Sequence, residues 1–218
     1  MYQYMENHET VASTALFYDF DHARTLILKK HPHEIARDAQ VDYDDKNNCF
    51  TFLSLNQMIV VSYPECKAIF EATGKAPDLN WHMPILHYLS TANGIPLSGE
   101  LTPIRSVDKY VGHPELFERE TGTRLIKHFD GKSIETIKQV CAALGGDSLE
   151  SSADLYVKLN FLPRFPVYIK LWMTEDELPG SGQMLFDKRC LNYLGEKDIQ
   201  IFGPLIAKYL TQHYDLIS

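Results

Sequence analysis

The sequence has little positive charge and no stretch that concentrates it. Its 21 lysine and arginine residues are outnumbered by 29 acidic residues, so the formal net charge is −8. A field of this sign repels the phosphates of nucleic acids, and adjacent basic residues occur only as Lys29-Lys30 and Lys188-Arg189. We therefore expect that nucleic acid is not a partner of this protein.

Cysteine is also scarce, and the cysteines are never close together. Cys49, Cys66, Cys141 and Cys190 lie far apart in the chain, without any C-x-x-C pair. Zinc ribbons and iron–sulfur clusters usually draw their ligands from close pairs, and disulfide frameworks belong to oxidising compartments. We expect four separate, partly buried thiols and neither a metal nor a cofactor within this chain.

Long hydrophobic runs are missing as well. None approaches the roughly 20 apolar residues that a helix needs to span a bilayer. Residues 1–10 are polar and include Glu6 and Glu9, which is unlike the basic and then apolar start of a signal peptide. A hydrophobic fraction of 44% is typical of a globular protein, so we expect a soluble cytoplasmic protein that does not bind membranes.

The apolar residues that are present predict alternating groups of helices and hairpins. Helical spacing or capping residues mark segments 11–30, 32–38, 84–92, 114–129 (interrupted near Gly122), 133–144 and the C-terminus. We expect Pro84 to occupy the first turn of its helix and Pro204 to split or kink the last one.

Two antiparallel hairpins are expected from β-branched and aromatic runs. The first joins residues 49–53 to 58–61, and the second joins 154–159 to 167–172 through a turn that contains Pro163 and Pro166. The composition of residues 179–182 predicts a loop. The absence of a regular strand–helix–strand alternation favours an α+β fold, with hairpins in one or two small sheets packed against helices. We expect one domain over residues 1–218, with a helical extension in residues 1–34.

The chain has no serine-centred elbow, phosphate-binding loop or dinucleotide fingerprint. Its most suggestive base is Arg164, because a rigid turn between Pro163 and Pro166 presents a guanidinium at little entropic cost for binding a carboxylate or another anion. The alternative is an ordinary salt bridge to Asp154 or to the acidic run at 175–177.

The acidic run and the histidines are the remaining chemical features. Adjacent carboxylates after a strand bind cations or supply an acid and a base, but they are also common in solvated loops. His82 and His87 are five residues apart, a spacing that does not place two ligands on one helical face unless His82 precedes the helix.

Several segments, in this order and spacing, resemble a known family. They are residues 86–89, 95–100, 143–146, 162–166, 171–172, 175–177, 185–187 and 193–194, which together span about residues 35 to 210. This pattern resembles domain-of-unknown-function family 3786, which is found mainly in anaerobic bacteria. The positions shared with the family pattern are Gly99, Glu100, Pro163, Arg164, Pro166, Trp172, Glu177 and Asp187.

The resemblance implies a link to anaerobic redox, iron–sulfur or corrinoid metabolism, because some relatives carry an iron–sulfur segment. This chain has no cysteine cluster, so any such cluster would belong to a partner protein. The family offers no established catalytic residues.

The preferred hypothesis is a non-catalytic accessory domain that binds a small molecule or a redox protein. It predicts that Arg164 and Glu100 converge beside an aromatic residue. The candidate ligand-binding residues are Arg164, Trp172, Glu100, Glu177, Asp187 and His87.

Two alternatives remain open. A metal-dependent enzyme would use the acids at 175–177, Asp187 and a histidine such as His87. An oligomeric structural protein would present an apolar surface on the first helix, through Leu16, Phe17 and Phe20.

Overall fold

The computed structural model describes residues 10–107, 110–176 and 178–217 of the chain. The expected α+β fold is confirmed, with helices packed on two antiparallel sheets. The helices are α1 (Thr10–Leu28), α2 (Pro32–Ala39), α3 (Leu79–Thr91), α4 (Pro114–Glu118), α5 (Arg124–Phe129), α6 (Ile134–Ala143) and α7 (Glu196–Ile217). The strands are β1 (Asp42–Asp44), β2 (Cys49–Ser54), β3 (Gln57–Ser62), β4 (Ala68–Phe70), β5 (Leu101–Pro103), β6 (Asp147–Ser148), β7 (Leu155–Leu162), β8 (Phe165–Trp172) and β9 (Ser181–Asp187). A search of the described helices finds none with the length and apolar character needed to cross a membrane.

The smaller sheet has the strand order β1-β2-β3-β4 and contains the first predicted hairpin. Its inner face is formed by alternate residues such as Phe50, Phe52 and Ile59, all of which are buried. The turn residues Leu55 and Asn56 both have positive φ, as two-residue hairpin turns require.

The larger sheet has the order β5-β9-β8-β7-β6 and contains the second predicted hairpin. The expectation of a loop at 179–182 was wrong from Ser181 onward, because β9 begins there and pairs with both β8 and β5. The expected turn was also too long. Pro163 and Arg164 alone separate β7 from β8, and Pro166 lies within β8 opposite Asn160.

The two sheets meet at a buried polar contact. The backbone N–H of Leu55 donates to the carbonyl of Asn160 (3.0 Å), and Ser54 Oγ donates to the carbonyl of Phe161 (2.5 Å). Trp81 Nε1 on α3 donates to the same Ser54 hydroxyl (2.8 Å). One cluster of buried apolar side chains therefore extends through both sheets and the helices.

The expected position of Pro84 in the first helical turn was wrong, and Pro204 does not split the last helix. Helix α3 begins at Leu79, where Asp78 caps it by accepting the N–H of Trp81 (3.2 Å), and Pro84 lies inside the helix. Pro204 lies inside α7, which is a single helix of 22 residues. Each proline removes one helical hydrogen bond, but both helices bury much of their surface in the core, and that burial outweighs the loss.

The predicted interruption near Gly122 is confirmed as a π-helical turn over Arg119–Thr123, between α4 and α5. There the chain lies against Gly182 in β9, since a Cβ on Gly122 would be 2.1 Å from the Gly182 carbonyl oxygen. The helical turn therefore packs directly on the sheet backbone.

Helix α1 packs along α3 through the buried side chains of Ala23 and Ile27. Phe20, one of three residues considered for an oligomer interface, is half-buried against the core and contacts the ring of His82. The side chains of Leu16 and Phe17 lie outside the described part of the chain.

Candidate functional site

The β7–β8 turn is held in place by a tyrosine from α3. The backbone N–H of Arg164 donates to Tyr88 Oη (2.9 Å), and Tyr88 Oη donates to the carbonyl of Ala39 (2.5 Å) at the end of α2. Tyr88 is completely buried, and this burial raises the pKa of its hydroxyl. The turn that carries Arg164 is thus anchored to two helices by a neutral hydroxyl group.

The guanidinium of Arg164 lies beside a second buried tyrosine, Tyr193. The rings of Tyr88 and Tyr193 are 6.1 Å apart, and the Tyr193 hydroxyl donates to the carbonyl of Ile95. Burial raises the pKa of Tyr193, and the charge and hydrogen bond of Arg164 oppose that rise. The side chain of Arg164 therefore sits against two aromatic residues whose hydroxyl protons are already donated to backbone carbonyls.

Part of this guanidinium has no partner. Arg164 Nε is buried and its N–H donates to no acceptor among the described residues, and Arg164 forms no ion pair within them. The expected salt bridge to Asp154 does not form, because Asp154 Oδ2 accepts the N–H of Met173 (2.7 Å) beyond the far end of β8. An unpaired buried N–H on a charged group costs more than about 1–3 kcal/mol.

Asp187, at the end of β9, organises the loop that leads into β5. Its carboxylate is buried and accepts the N–H groups of Gly99 (2.7 Å), Arg189 (2.8 Å) and Ser98 (3.1 Å), together with the Ser98 hydroxyl (3.0 Å). Burial acts to raise the pKa of Asp187, but these donors outweigh it and lower the pKa. The carboxylate is thus occupied in holding the loop, and Gly99 adopts the positive φ that the turn requires.

Glu100 lies at the same end of the sheet but has its own partner. Its Oε2 is 2.6 Å from Lys188 Nζ, both side chains are exposed, and this contact lowers the pKa of Glu100. Glu100 is therefore paired with Lys188 and is not a partner of Arg164. Arg105, the next arginine along the chain, pairs with Glu118.

Trp172 and the described acids of the 175–177 run, which were also predicted to belong to the site, lie at the opposite end of β8 from Arg164. Trp172 ends the strand opposite Ser181, and Glu175 and Asp176 follow it on exposed backbone. The eight residues of β8 rise by about 3.3 Å each, so Trp172 is more than about 20 Å from Arg164 along the strand. Glu177 lies outside the described residues. The predicted site residues therefore divide between the two ends of the sheet.

His87 belongs to a second centre, a surface cleft of about 420 Å³ between α1 and the start of α7. His87 Nδ1 is 2.6 Å from Asp198 Oδ1, and Nε2 is 3.4 Å from Asp19 Oδ1. Burial acts to lower the pKa of His87, but the hydrogen bond and charge of Asp198 and the charge of Asp19 outweigh it and raise the pKa. Glu196 and Lys197 also line this cleft.

His82, His31 and His33 serve packing and local hydrogen bonds. His82 lies within α3, not before it, and burial lowers its pKa. His31 caps α2 and His33 contacts Asp45 (2.8 Å). In the part of the chain that the structure describes, no three His, Cys, Asp or Glu side chains are arranged to hold a metal ion.

Sequence reasoning missed the tyrosines that surround Arg164 and the aspartates that surround His87. Tyr88 and Tyr193 lie in two of the segments that carry the family resemblance, which is the one signal that pointed to them. Asp198 is separated from His87 by 111 residues, and no local pattern links the two.

Comparison with protein families gives one match. Residues 31–209 match the family described as Domain of unknown function (DUF3786). Neither the curated proteins nor the solved structures contain a match. The matched region includes Arg164, Tyr88, Tyr193 and His87, whereas α1 lies before it.

Proposed function

This chain belongs to the family of domains of unknown function DUF3786, and we propose that it binds an anionic ligand, a carboxylate or a phosphate, at Arg164 without turning it over. The observation that carries the proposal is the buried, unpartnered Nε of Arg164. Carboxylates and phosphates match a guanidinium with two parallel hydrogen bonds, and a ligand that approaches Nε and one terminal nitrogen would satisfy the orphaned donor.

The surroundings of Arg164 support a preformed site. Its backbone is fixed by Tyr88, and the Tyr193 hydroxyl beside the guanidinium donates its hydrogen bond to the carbonyl of Ile95. A guanidinium that is fixed in this way loses little conformational entropy when it binds a ligand. The aromatic neighbours also lower the local polarity, which strengthens a charge-assisted hydrogen bond.

The carboxylates near Arg164 also support an anion site, because each already has partners within the protein. Asp187 accepts four hydrogen bonds from the loop and Arg189, and Asp38 is 2.9 Å from Arg37 Nε. The positive charge of Arg164 is therefore left for an external anion. Arg164 is only partly buried as a residue, so part of its surface faces solvent.

The ligand is carried either by a small molecule or by a protein partner, and we assign no catalytic residues. As part of the proposal the domain is a cytoplasmic accessory protein, and any iron–sulfur cluster in the system sits on its partner. The distribution of the cysteines supports this view, since the four thiols are free and three of them are buried.

Thermal unfolding in the presence of inorganic phosphate or acetate tests the proposal, with chloride at equal ionic strength as the reference. A ligand at 100 times its Kd stabilises the folded state by about 2.7 kcal/mol. For a domain of this size we expect the Tm to rise by about 5–11 °C at that concentration. The rise should saturate with at least one of the two anions.

Arg164→Lys keeps the charge but loses the planar fork, and Arg164→Gln loses both, so we expect either variant to abolish the saturable rise. Arg119→Lys is the matched control, because Arg119 is exposed and its guanidinium pairs with Glu120 on the surface. If neither anion stabilises the wild-type protein beyond chloride, a buried water satisfies Nε and the proposal fails. It also fails if the Arg164 variants respond as the control does.

A further inference from the structure

We propose that His87 is a proton-dependent latch that holds α1 against the DUF3786 domain. Helix α1 precedes the family-matched region, whereas His87 and Asp198 lie within it. His87, on α3, stands between carboxylates from two other helices, Asp19 on α1 and Asp198 on α7. The contact is therefore a junction between the family domain and a helix outside it.

The two carboxylates hold the ring unequally. Asp198 is 4% exposed, lies 2.6 Å from Nδ1, and also accepts the N–H of Gly195 (3.2 Å) at the start of α7. Asp19 is half-exposed and lies 3.4 Å from Nε2. Asp198 is thus the fixed partner, and Asp19 is the one that can leave.

The number of protons on the ring decides whether both contacts hold. An imidazolium carries two N–H groups, so it donates to Asp198 and Asp19 together. A neutral imidazole carries one, which stays on Nδ1 beside the closer and more buried carboxylate. Nε2 then presents a lone pair to the Asp19 carboxylate, and the attraction becomes a repulsion.

The charged groups around the cleft favour the imidazolium. Asp19 faces the ring from α1, and Asp198, Glu196 and Lys197 line the cleft from the start of α7. These three carboxylates and one ammonium group give the surroundings of the His87 ring a net negative charge. Because the pKa of His87 is raised above the ordinary histidine value of 6.5, the latch is fully closed below that pH and opens as pH rises through the folded pKa.

The latch acts on the Asp19 end of α1 and not on the whole helix. Ala23 and Ile27 remain buried in the core, and Arg24 Nε donates to the Pro64 carbonyl (3.0 Å) whatever the state of His87. Since Asp19 also lines the cleft, opening the latch removes one wall of it.

Hydrogen–deuterium exchange of peptides from α1 tests the latch, with exchange times scaled for the intrinsic rate at pH 6.0 and pH 8.5. We expect protection in the wild-type protein to fall at the higher pH, by about tenfold for each unit by which the folded pKa exceeds the unfolded value. In Asp19→Asn the pH dependence should vanish, because an amide accepts from the imidazolium and donates to the neutral ring.

Asp21→Asn is the matched control, since Asp21 is an exposed acid on the same helix. It should keep the pH dependence of the wild type. A wild-type helix with equal protection at both pH values would overturn the proposal. So would an Asp19→Asn variant that retains the dependence, or an Asp21→Asn control that loses it.

Discussion

Replacing Tyr88 by phenylalanine tests how far one hydroxyl group organises the Arg164 end of the sheet. The change keeps the fully buried ring and leaves no cavity, but it removes the donor to Ala39 and the acceptor for the Arg164 N–H. The effect therefore isolates two hydrogen bonds.

The magnitude follows from the two backbone groups that lose their partner. A buried polar group left unsatisfied costs about 1–3 kcal/mol, and the Arg164 N–H, nearer the surface, belongs at the lower end of that range. We expect Tyr88→Phe to lower the free energy of unfolding by about 2–4 kcal/mol. This is a large part of the roughly 5–15 kcal/mol that holds a typical protein together.

Urea unfolding followed by circular dichroism measures this change, provided that the slope with urea stays the same. Tyr156→Phe is the control, since the Tyr156 ring lies under Lys170 on the open face of β7 and its hydroxyl has no partner in the described ranges. We expect the control to remain within about 0.5 kcal/mol of the wild type. A Tyr88→Phe variant as stable as that control would refute the reasoning.

Three further predictions concern stability and reactivity. Gly122→Ala places a methyl group against the Gly182 carbonyl, so we expect the free energy of unfolding in urea to fall by at least about 1–3 kcal/mol. Gly131→Ala meets no atom within 4 Å but has a positive φ, so it should lose only about 1 kcal/mol. Equal losses in the two variants would contradict the close approach of Gly122 to Gly182. Asp187 has a lowered pKa, so its contribution to stability is present above the ordinary aspartate value of 3.8 and is lost as pH falls through the folded pKa. Asp187→Asn should therefore flatten the dependence of the urea midpoint on pH between 5 and 2, and an unchanged profile would count against this assignment. In the folded protein at pH 8 a thiol reagent should label Cys49 before the others, and rapid labelling of all four before unfolding would show that the core opens readily. Burial raises the pKa values of the slow thiols to about 11 for Cys66 and about 12 for Cys141 and Cys190.

The helices and strands that were predicted correctly are determined by residues close together in the sequence. Ser133 caps α6 by accepting the Thr136 N–H, and the β2–β3 hairpin follows from apolar runs on either side of the polar pair Asn56-Gln57. These signals act over a few residues, so the sequence alone predicts them.

The elements that were predicted wrongly depend on distant partners. Pro84 and Pro204 are tolerated within α3 and α7 because both helices are buried against the sheets. The first half of β9, Ser181 to Gln183, has no apolar residue, and pairing with β8 makes it part of the strand. Local propensity yields to tertiary packing in each case.

The candidate site was predicted only in part. Arg164 was identified because two prolines flank it, but its expected convergence with Glu100 and Trp172 did not occur. Glu100 pairs with Lys188, and Trp172 ends the same strand that Arg164 precedes. A motif read along the chain does not state which end of a strand each of its residues occupies.

By itself, the sequence determined the α+β class, the main hairpins, the capped helix ends and the negative charge, because composition and short-range periodicity control each of these. Only the tertiary structure decided what Arg164 and His87 face. Tyr88 is 76 residues from Arg164, and Asp198 is 111 residues from His87. Contacts over such separations depend on how the helices pack on the sheets, and the burial of those partners determines whether a guanidinium or an imidazole is left with a hydrogen bond to make.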